Sequence, residues 1–308
     1  MYSKILVPLD SSKTAENVLP VARCLARGLQ IPMELLGVID IVDMASHLAT
    51  DKLSIIHAMV DDASRRFTEY LEGIAQNFPT GTVRCTVQTG SAAQAIIDSA
   101  ATDKRTLIAL ATHGRSGLNR WLLGSVAEKV LRGASNPTLV VRARDDNNPV
   151  WAMAALKRII VPLDGSELSE GILPYIKELA KQLDMEVTLI RLYGGLSAAG
   201  DGFYSPHQLD ALTARLRDET VTYLESKTEE MKRQGLNRIS FAAKEGSEAD
   251  EILAIARQTP DTMIAMCTHG RSGVQRWALG SITERVVRHS DNPVLVVRAG
   301  LDKRSAGK

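Results

Sequence analysis

A long internal repeat constrains this chain more than any other feature. Lys4-Ile5-Leu6-Val7-Pro8-Leu9-Asp10 returns as Arg158-Ile159-Ile160-Val161-Pro162-Leu163-Asp164, and Thr112-His113-Gly114-Arg115-Ser116-Gly117 returns as Thr268-His269-Gly270-Arg271-Ser272-Gly273. Gly124-Ser125 recurs as Gly280-Ser281. Asn136-Pro137, followed by Leu139-Val140-Val141-Arg142, recurs as Asn292-Pro293 followed by Leu295-Val296-Val297-Arg298. The spacing from Gly124 to Gly280 exceeds that from Asp10 to Asp164 by two residues, a short net insertion. Two copies at so long a period are duplicated domains, not a solenoid. The expected boundaries are 1–143 for the first domain and 157–299 for the second. Between them lies a polar, turn-rich linker at 144–156, its far end anchored by Trp151 and Met153; residues 300–308 form a frayed tail.

Each half alternates strand and helix signals. In the first half, short apolar runs predict strands at 4–9, 33–39, 82–88, 106–111 and 138–142. Helical patterns cover roughly 50–77, 92–101 and 124–133. One further helix starts at Ser11 or Ser12 and carries Val18, Val21, Ala22 and Leu25 on its apolar face. Pro20, repeated as Pro174, marks a kink or an early-turn position in it. The second half reads the same way, with a glycine-rich connection from Gly194 to Gly202. Such alternation predicts two tandem Rossmann-like, doubly wound α/β domains. Each is a five-stranded, mostly parallel sheet with helices on both faces. Ligands of such sheets bind outside the carboxyl ends of the strands, where strand order reverses. Asp10, Val38 and the glycine loop after the fourth strand all fall there.

Composition narrows the function. A net charge of +1 argues against a general electrostatic grip on nucleic acid or anionic lipid. No apolar run reaches the length of a membrane span, and Met1-Tyr2-Ser3-Lys4-Ile5 lacks a signal-peptide layout, so the expectation is a cytoplasmic protein. Cys24, Cys85 and Cys267 form no C-x-x-C pair and read as buried small hydrophobes in a reducing compartment.

The glycine loop carries the chemistry. Gly114 and Gly117 allow close approach of a ligand, and Gly124-Ser125 opens a helix whose free N–H groups attract phosphate. An ordinary tight turn before a helix fits the same residues, as does duplication of such a turn together with Arg120-Trp121 and Arg276-Trp277. The chain has neither a G-x-x-x-x-G-K-[ST] loop nor a G-x-G-x-x-G fingerprint. Asp10 and Asp164 either accept hydrogen bonds from a sugar or base, or serve as turn residues. Pro8 and Pro162 fix the backbone where the first strand of each half leaves the sheet. His113 and His269 read as loop histidines rather than catalytic ones, since no triad or metal spacing accompanies them. Arg115 and Arg271 face phosphate or solvent, and Ser125 and Ser281 bind phosphate or cap the helix.

With these residues in place, both halves resemble universal stress protein domains over nearly the whole chain. The nucleotide-binding subgroup of that family carries G-x-x-G, nine residues, then G-[ST]. Gly114 is followed by nine residues and Gly124-Ser125, and Gly270 by nine and Gly280-Ser281. The first glycine is replaced by Ala111 in one half and by Cys267 in the other, which leaves the first half the better candidate if only one binds. The resemblance implies binding of ATP or ADP, with any Mg2+ carried by the phosphates. Asp10 and Asp164 would contact the adenosine, and backbone groups of Val38 and Leu192 the adenine. Gly114, Gly124, Ser125, Gly270, Gly280 and Ser281 would hold phosphates. Val126 and Ile282 would line the pocket. Pro8, Leu110, Ala111, Pro162, Met266 and Cys267 complete the expected set, with no catalytic residue and no protein metal ligand. It also implies that the halves pair through their last strands, 138–142 and 294–298, as an intrachain pseudo-dimer; a further homodimer stays open. The function expected is a stress-response sensor or regulator with little or no turnover. A slow nucleotide-dependent enzyme and a non-binding interaction module are the alternatives.

Overall fold

The computed structural model describes residues 2–40, 53–79, 81–112, 123–142, 156–194, 206–246, 248–259, 261–268 and 279–298. The loop residues His113 to Trp121, their counterparts His269 to Trp277, the linker from residue 143 to 155 with Trp151 and Met153, Gly195 to Gly202, and the tail lie outside them. The chain divides into two compact units, Met1–Ala155 and Leu156–Lys308.

In the first unit, β1 (Lys4–Leu9) leads through α1 (Lys13–Glu16) and α2 (Leu19–Leu29) to β2 (Met33–Ile39). Then follow α3 (Leu53–Ala75), β3 (Val83–Thr89), α4 (Ala92–Ala101), β4 (Thr106–Ala111), α5 (Ser125–Gly133) and β5 (Thr138–Val141). All five strands are parallel, in the order β3-β2-β1-β4-β5. The second unit repeats the pattern with β6 (Arg158–Pro162), α6 (Glu167–Glu170), α7 (Leu173–Leu183), β7 (Glu186–Tyr193) and α8 (Pro206–Arg233). It continues with β8 (Ile239–Glu245), α9 (Glu248–Gln258), β9 (Thr262–Cys267), α10 (Ser281–His289) and β10 (Val294–Val297). Its order is β8-β7-β6-β9-β10, again parallel.

Central strands covered on both faces must be apolar throughout. Ile5, Leu6, Val7, Leu107, Ile108 and Ala109 are fully buried accordingly. Alternation along β2 assigns the helices to faces. Gly37 abuts the Phe67 ring of α3, whereas its neighbours Leu36 and Val38 share a cavity with Ala92 and Ile96 of α4. The two helices therefore cover opposite faces, as a doubly wound sheet requires.

The helix expected from Ser11 or Ser12 is in fact two. The Ser12 side chain accepts from Ala15 N–H and caps the short α1. Pro20, having no N–H, cannot continue that ladder, and it sits instead in the first turn of α2. Pro174 does the same in α7. The cysteine reading is also corrected in part. All three cysteines are free, but only Cys267 is buried; Cys24 and Cys85 are half-buried. Burial, with the charge of Glu72, pushes the Cys85 thiol up.

The repeated Asn-Pro pair proves to be a clamp. The buried Asn136 amide donates to the carbonyls of Ala100 (3.1 Å), Asp103 (2.9 Å) and Thr106 (3.1 Å). It thus ties the turn before β4 to the start of β5. Asn136→Ala removes these bonds, although Ala100 O and Asp103 O still accept from the N–H groups of Asp103 and Thr106, so we expect the first domain to lose about 1–2 kcal/mol, read as a lower urea midpoint. No helix among the described residues is long and apolar enough to cross a membrane.

Candidate functional site

Strand order in the first domain reverses between β1 and β4, because β2 and β3 lie to one side of β1 and β4 and β5 to the other. Chain leaving these two carboxyl ends must diverge, which opens a crevice. A cavity of about 260 Å³ occupies it. The strands supply Pro8, Asp10, Val38, Leu110 and Ala111, and the start of α5 supplies Gly124, Ser125 and Val126. The first-half residues expected at the site thus converge, apart from Gly114, which lies outside the described residues.

Asp10 turns the chain out of β1. Its Oδ1 accepts from Ser12 N–H at 3.0 Å and from Ser12 Oγ at 2.6 Å, across a left-handed Ser11 with φ of 63°. Asp164 repeats this with Ser166, at 2.9 and 2.6 Å, across Gly165. Of the two readings left open for these aspartates, the turn is built in both domains. It also presents each carboxylate at the rim of a cavity.

The start of α5 is held beside β4 by Gly124 N–H donating to Thr112 O at 2.7 Å, while Thr112 N–H donates to Val141 O at 2.9 Å. Gly124 has φ −59° and ψ 146°, values any residue adopts, so glycine supplies space here rather than conformation. No side chain caps α5. The helical ladder begins with Glu128 N–H donating to Gly124 O. That leaves the N–H groups of Ser125, Val126 and Ala127 without an acceptor in the helix. All three residues line the cavity. A bare, partly positive helix end therefore meets an otherwise apolar pocket, an arrangement suited to the anionic end of a ligand with an apolar body.

The second domain builds the same frame around less space. Its cavity measures about 70 Å³. Pro162, Asp164, Leu192, Met266, Cys267 and Ile282 line it; Gly280 and Ser281 head α10 without lining it, and Gly270 lies outside the described residues. Larger side chains stand at three of its wall positions. Ala15, Ala111 and Ala127 of the first domain correspond to Ser169, Cys267 and Thr283. Thr283 Oγ1 also donates to Cys267 O at 2.9 Å, closing the floor.

Sequence reasoning missed several wall residues, namely Ala15, Leu36, Ala92, Ile96 and Ala127. The apolar face of α4 was the available signal for two of these. It also missed a support beneath α1. Glu16, 2% exposed, accepts from Tyr70 Oη at 3.1 Å and pairs with Lys13 at 3.0 Å. Glu170 repeats this with Tyr223 at 2.9 Å and Lys227 at 2.8 Å. Burial, then the hydrogen bond and charge of Glu170, hold the Tyr223 phenol well above its ordinary range, so it remains a donor. Among the described residues, no three His, Cys, Asp or Glu side chains group as metal ligands.

Comparison with known proteins agrees with this architecture. The model of the universal stress protein family matches residues 1–142 and again 155–298. Universal stress protein MJ0531 of Methanocaldococcus jannaschii is 31% identical over 147 residues, which is 46% of this chain and 82% of that protein. A universal stress protein of Mycolicibacterium smegmatis is 24% identical over 303 residues, 96% of each chain. The crystal structure of a universal stress protein from Archaeoglobus fulgidus superposes with a TM-score of 0.69 at 21% identity, covering 96% of this chain and 98% of that one. Repeat, strand order and the doubled family match agree: the chain belongs to the universal stress protein family and carries two of its domains in tandem.

Proposed function

We propose that the first domain binds an adenine nucleotide, ATP or ADP, and that the protein is a cytoplasmic stress-response sensor or regulator with little turnover. The observation that carries this reading is the uncapped start of α5 lining an apolar cavity of about 260 Å³, close to the lower end of the roughly 300–1,000 Å³ of small-molecule clefts. The phosphates lie on the N–H groups of Ser125 to Ala127, with Gly114 and Gly124 giving them room. Asp10 faces the adenosine and the Val38 backbone the adenine; Pro8, Leu110, Ala111 and Val126 form the wall. Mg2+ arrives with the phosphates. In the second domain Pro162, Asp164, Leu192, Met266, Cys267, Gly270, Gly280, Ser281 and Ile282 hold the corresponding positions, and the small cavity there makes that site weak or empty. Among the described residues no lysine lines the pocket, which favours sensing over phosphoryl transfer. Pairing of the halves through their last strands, and any further homodimer, belong to the same proposal; light scattering counts the chains.

Calorimetric titration of the full chain with ATP tests the reading. We expect one nucleotide per chain. Val126 is 39% exposed, so Val126→Asp leaves the fold intact. A carboxylate in the first helical turn even favours the helix by about 0.3–1 kcal/mol. It competes with phosphate for the same N–H groups, however, and should weaken ATP at least about tenfold, or 1.4 kcal/mol, without lowering the unfolding temperature. No saturable heat at millimolar ATP would remove the proposal; steady phosphate release would move it towards an enzyme.

A further inference from the structure

The first domain has a second cleft, at the opposite end of its sheet. It lies where α2 ends, β2 begins and the chain turns after α3, and its volume is about 640 Å³. Ala26, Ile31, Met33 and the Phe78 ring form its apolar part, with Gln30 and Thr82 beside them. Two guanidinium groups border them. Arg23 stands over the Phe78 ring at 5.5 Å, and Arg27 is exposed on the last turn of α2. Neither has a carboxylate partner among the described residues. At the end of α2, Ala26 O and Arg27 O accept from the N–H groups of Ile31 and Gln30.

The second domain shows what an inert version of this corner looks like. The same positions on α7 are Lys177 and Lys181. Lys177 Nζ donates to Gln234 Oε1 at 2.8 Å and Lys181 Nζ to Gln234 O at 2.6 Å. Both cations there are spent on the end of α8, and Lys181 Nζ sits where a Cβ on Gly235 would fall. In the first domain Arg23 lies over the Phe78 ring and Arg27 is exposed, and both line the open cleft.

We propose that this cleft binds a small aromatic carboxylate. The planar guanidinium forks match a carboxylate, and the ring of Phe78 with Met33 and Ile31 matches a flat apolar body. The site is independent of the nucleotide pocket.

Titration of the full chain with 1-naphthoate, followed by calorimetry, tests it. Saturable binding at one site per chain is expected, with the neutral analogue 1-naphthalenemethanol at least about tenfold weaker. Arg27→Glu, on an exposed position that leaves folding alone, should weaken 1-naphthoate at least tenfold and leave ATP affinity unchanged. Saturating ATP should not alter the naphthoate affinity. Equal affinity for the neutral analogue, indifference to Arg27→Glu, or displacement by ATP would each overturn the proposal. The last of these would place the probe in the nucleotide pocket.

Discussion

Placing Ser at 15, Cys at 111 and Thr at 127 in one chain is expected to weaken ATP at least about tenfold, while the domain still folds. The three side chains are those the second domain carries on the same frame, as Ser169, Cys267 and Thr283, around a cavity of about 70 Å³ rather than about 260 Å³. Because one copy of the fold already packs them, strain is a poor explanation for a loss. What changes is the volume left for the proposed ligand, and a tenfold loss corresponds to about 1.4 kcal/mol. The reciprocal set, Ser169→Ala, Cys267→Ala and Thr283→Ala, should open the second cavity. It also removes the Thr283 hydroxyl from Cys267 O. Calorimetry should show the first variant losing its site and the second tending towards two sites per chain. An unchanged stoichiometry in both would mean that cavity volume does not set binding.

A second large effect is expected at Gly37. A Cβ built there would fall 2.4 Å from Phe67 Cδ1. Gly37 is in the middle of β2, paired to β1 and β3, so the half-buried Phe67 ring of α3, which meets the Tyr70 ring edge-on, must shift. Overpacking of this kind typically costs about 1–3 kcal/mol. Gly37→Ala should therefore lower the unfolding temperature of the first domain by several degrees. The second domain indicates the remedy. Arg191 occupies the position of Gly37 and lies over the Tyr223 ring at 4.8 Å, while buried Thr220 replaces Phe67. Adding Phe67→Thr to Gly37→Ala should recover part of the loss. If thermal scans show the single variant as stable as the parent, the contact between β2 and α3 is looser than the geometry indicates. Val38 follows Gly37 directly, so the single variant should also weaken ATP.

The strands were legible because a buried parallel strand is written as one short apolar run, and duplication printed each run twice. Continuous burial from Ile5 to Val7 and from Thr106 to Leu110 bears this out. The site frame was legible for a related reason. Asp10, Ala111 and Gly124 stand at strand and helix ends, where doubly wound sheets place their ligands. The break between α1 and α2 was only half visible, since Pro20 signals a change in the ladder without saying whether the helix bends or restarts. The closure of the second cavity was less visible still. Cys267 sits within the motif and could be compared with Ala111, but Ser169 and Thr283 lie on helices whose approach to the crevice depends on packing. The Glu16–Tyr70 support joins residues 54 positions apart, and no local pattern links them.

The measurement that bears most directly on the account is a crystal structure of the full chain grown with ATP and Mg2+. It should show one nucleotide in the first domain, its phosphates within hydrogen-bond distance of the N–H groups of Ser125, Val126 or Ala127 and its ribose near Asp10. A nucleotide bound elsewhere, or phosphates held by side chains while the head of α5 stays uncontacted, would contradict it.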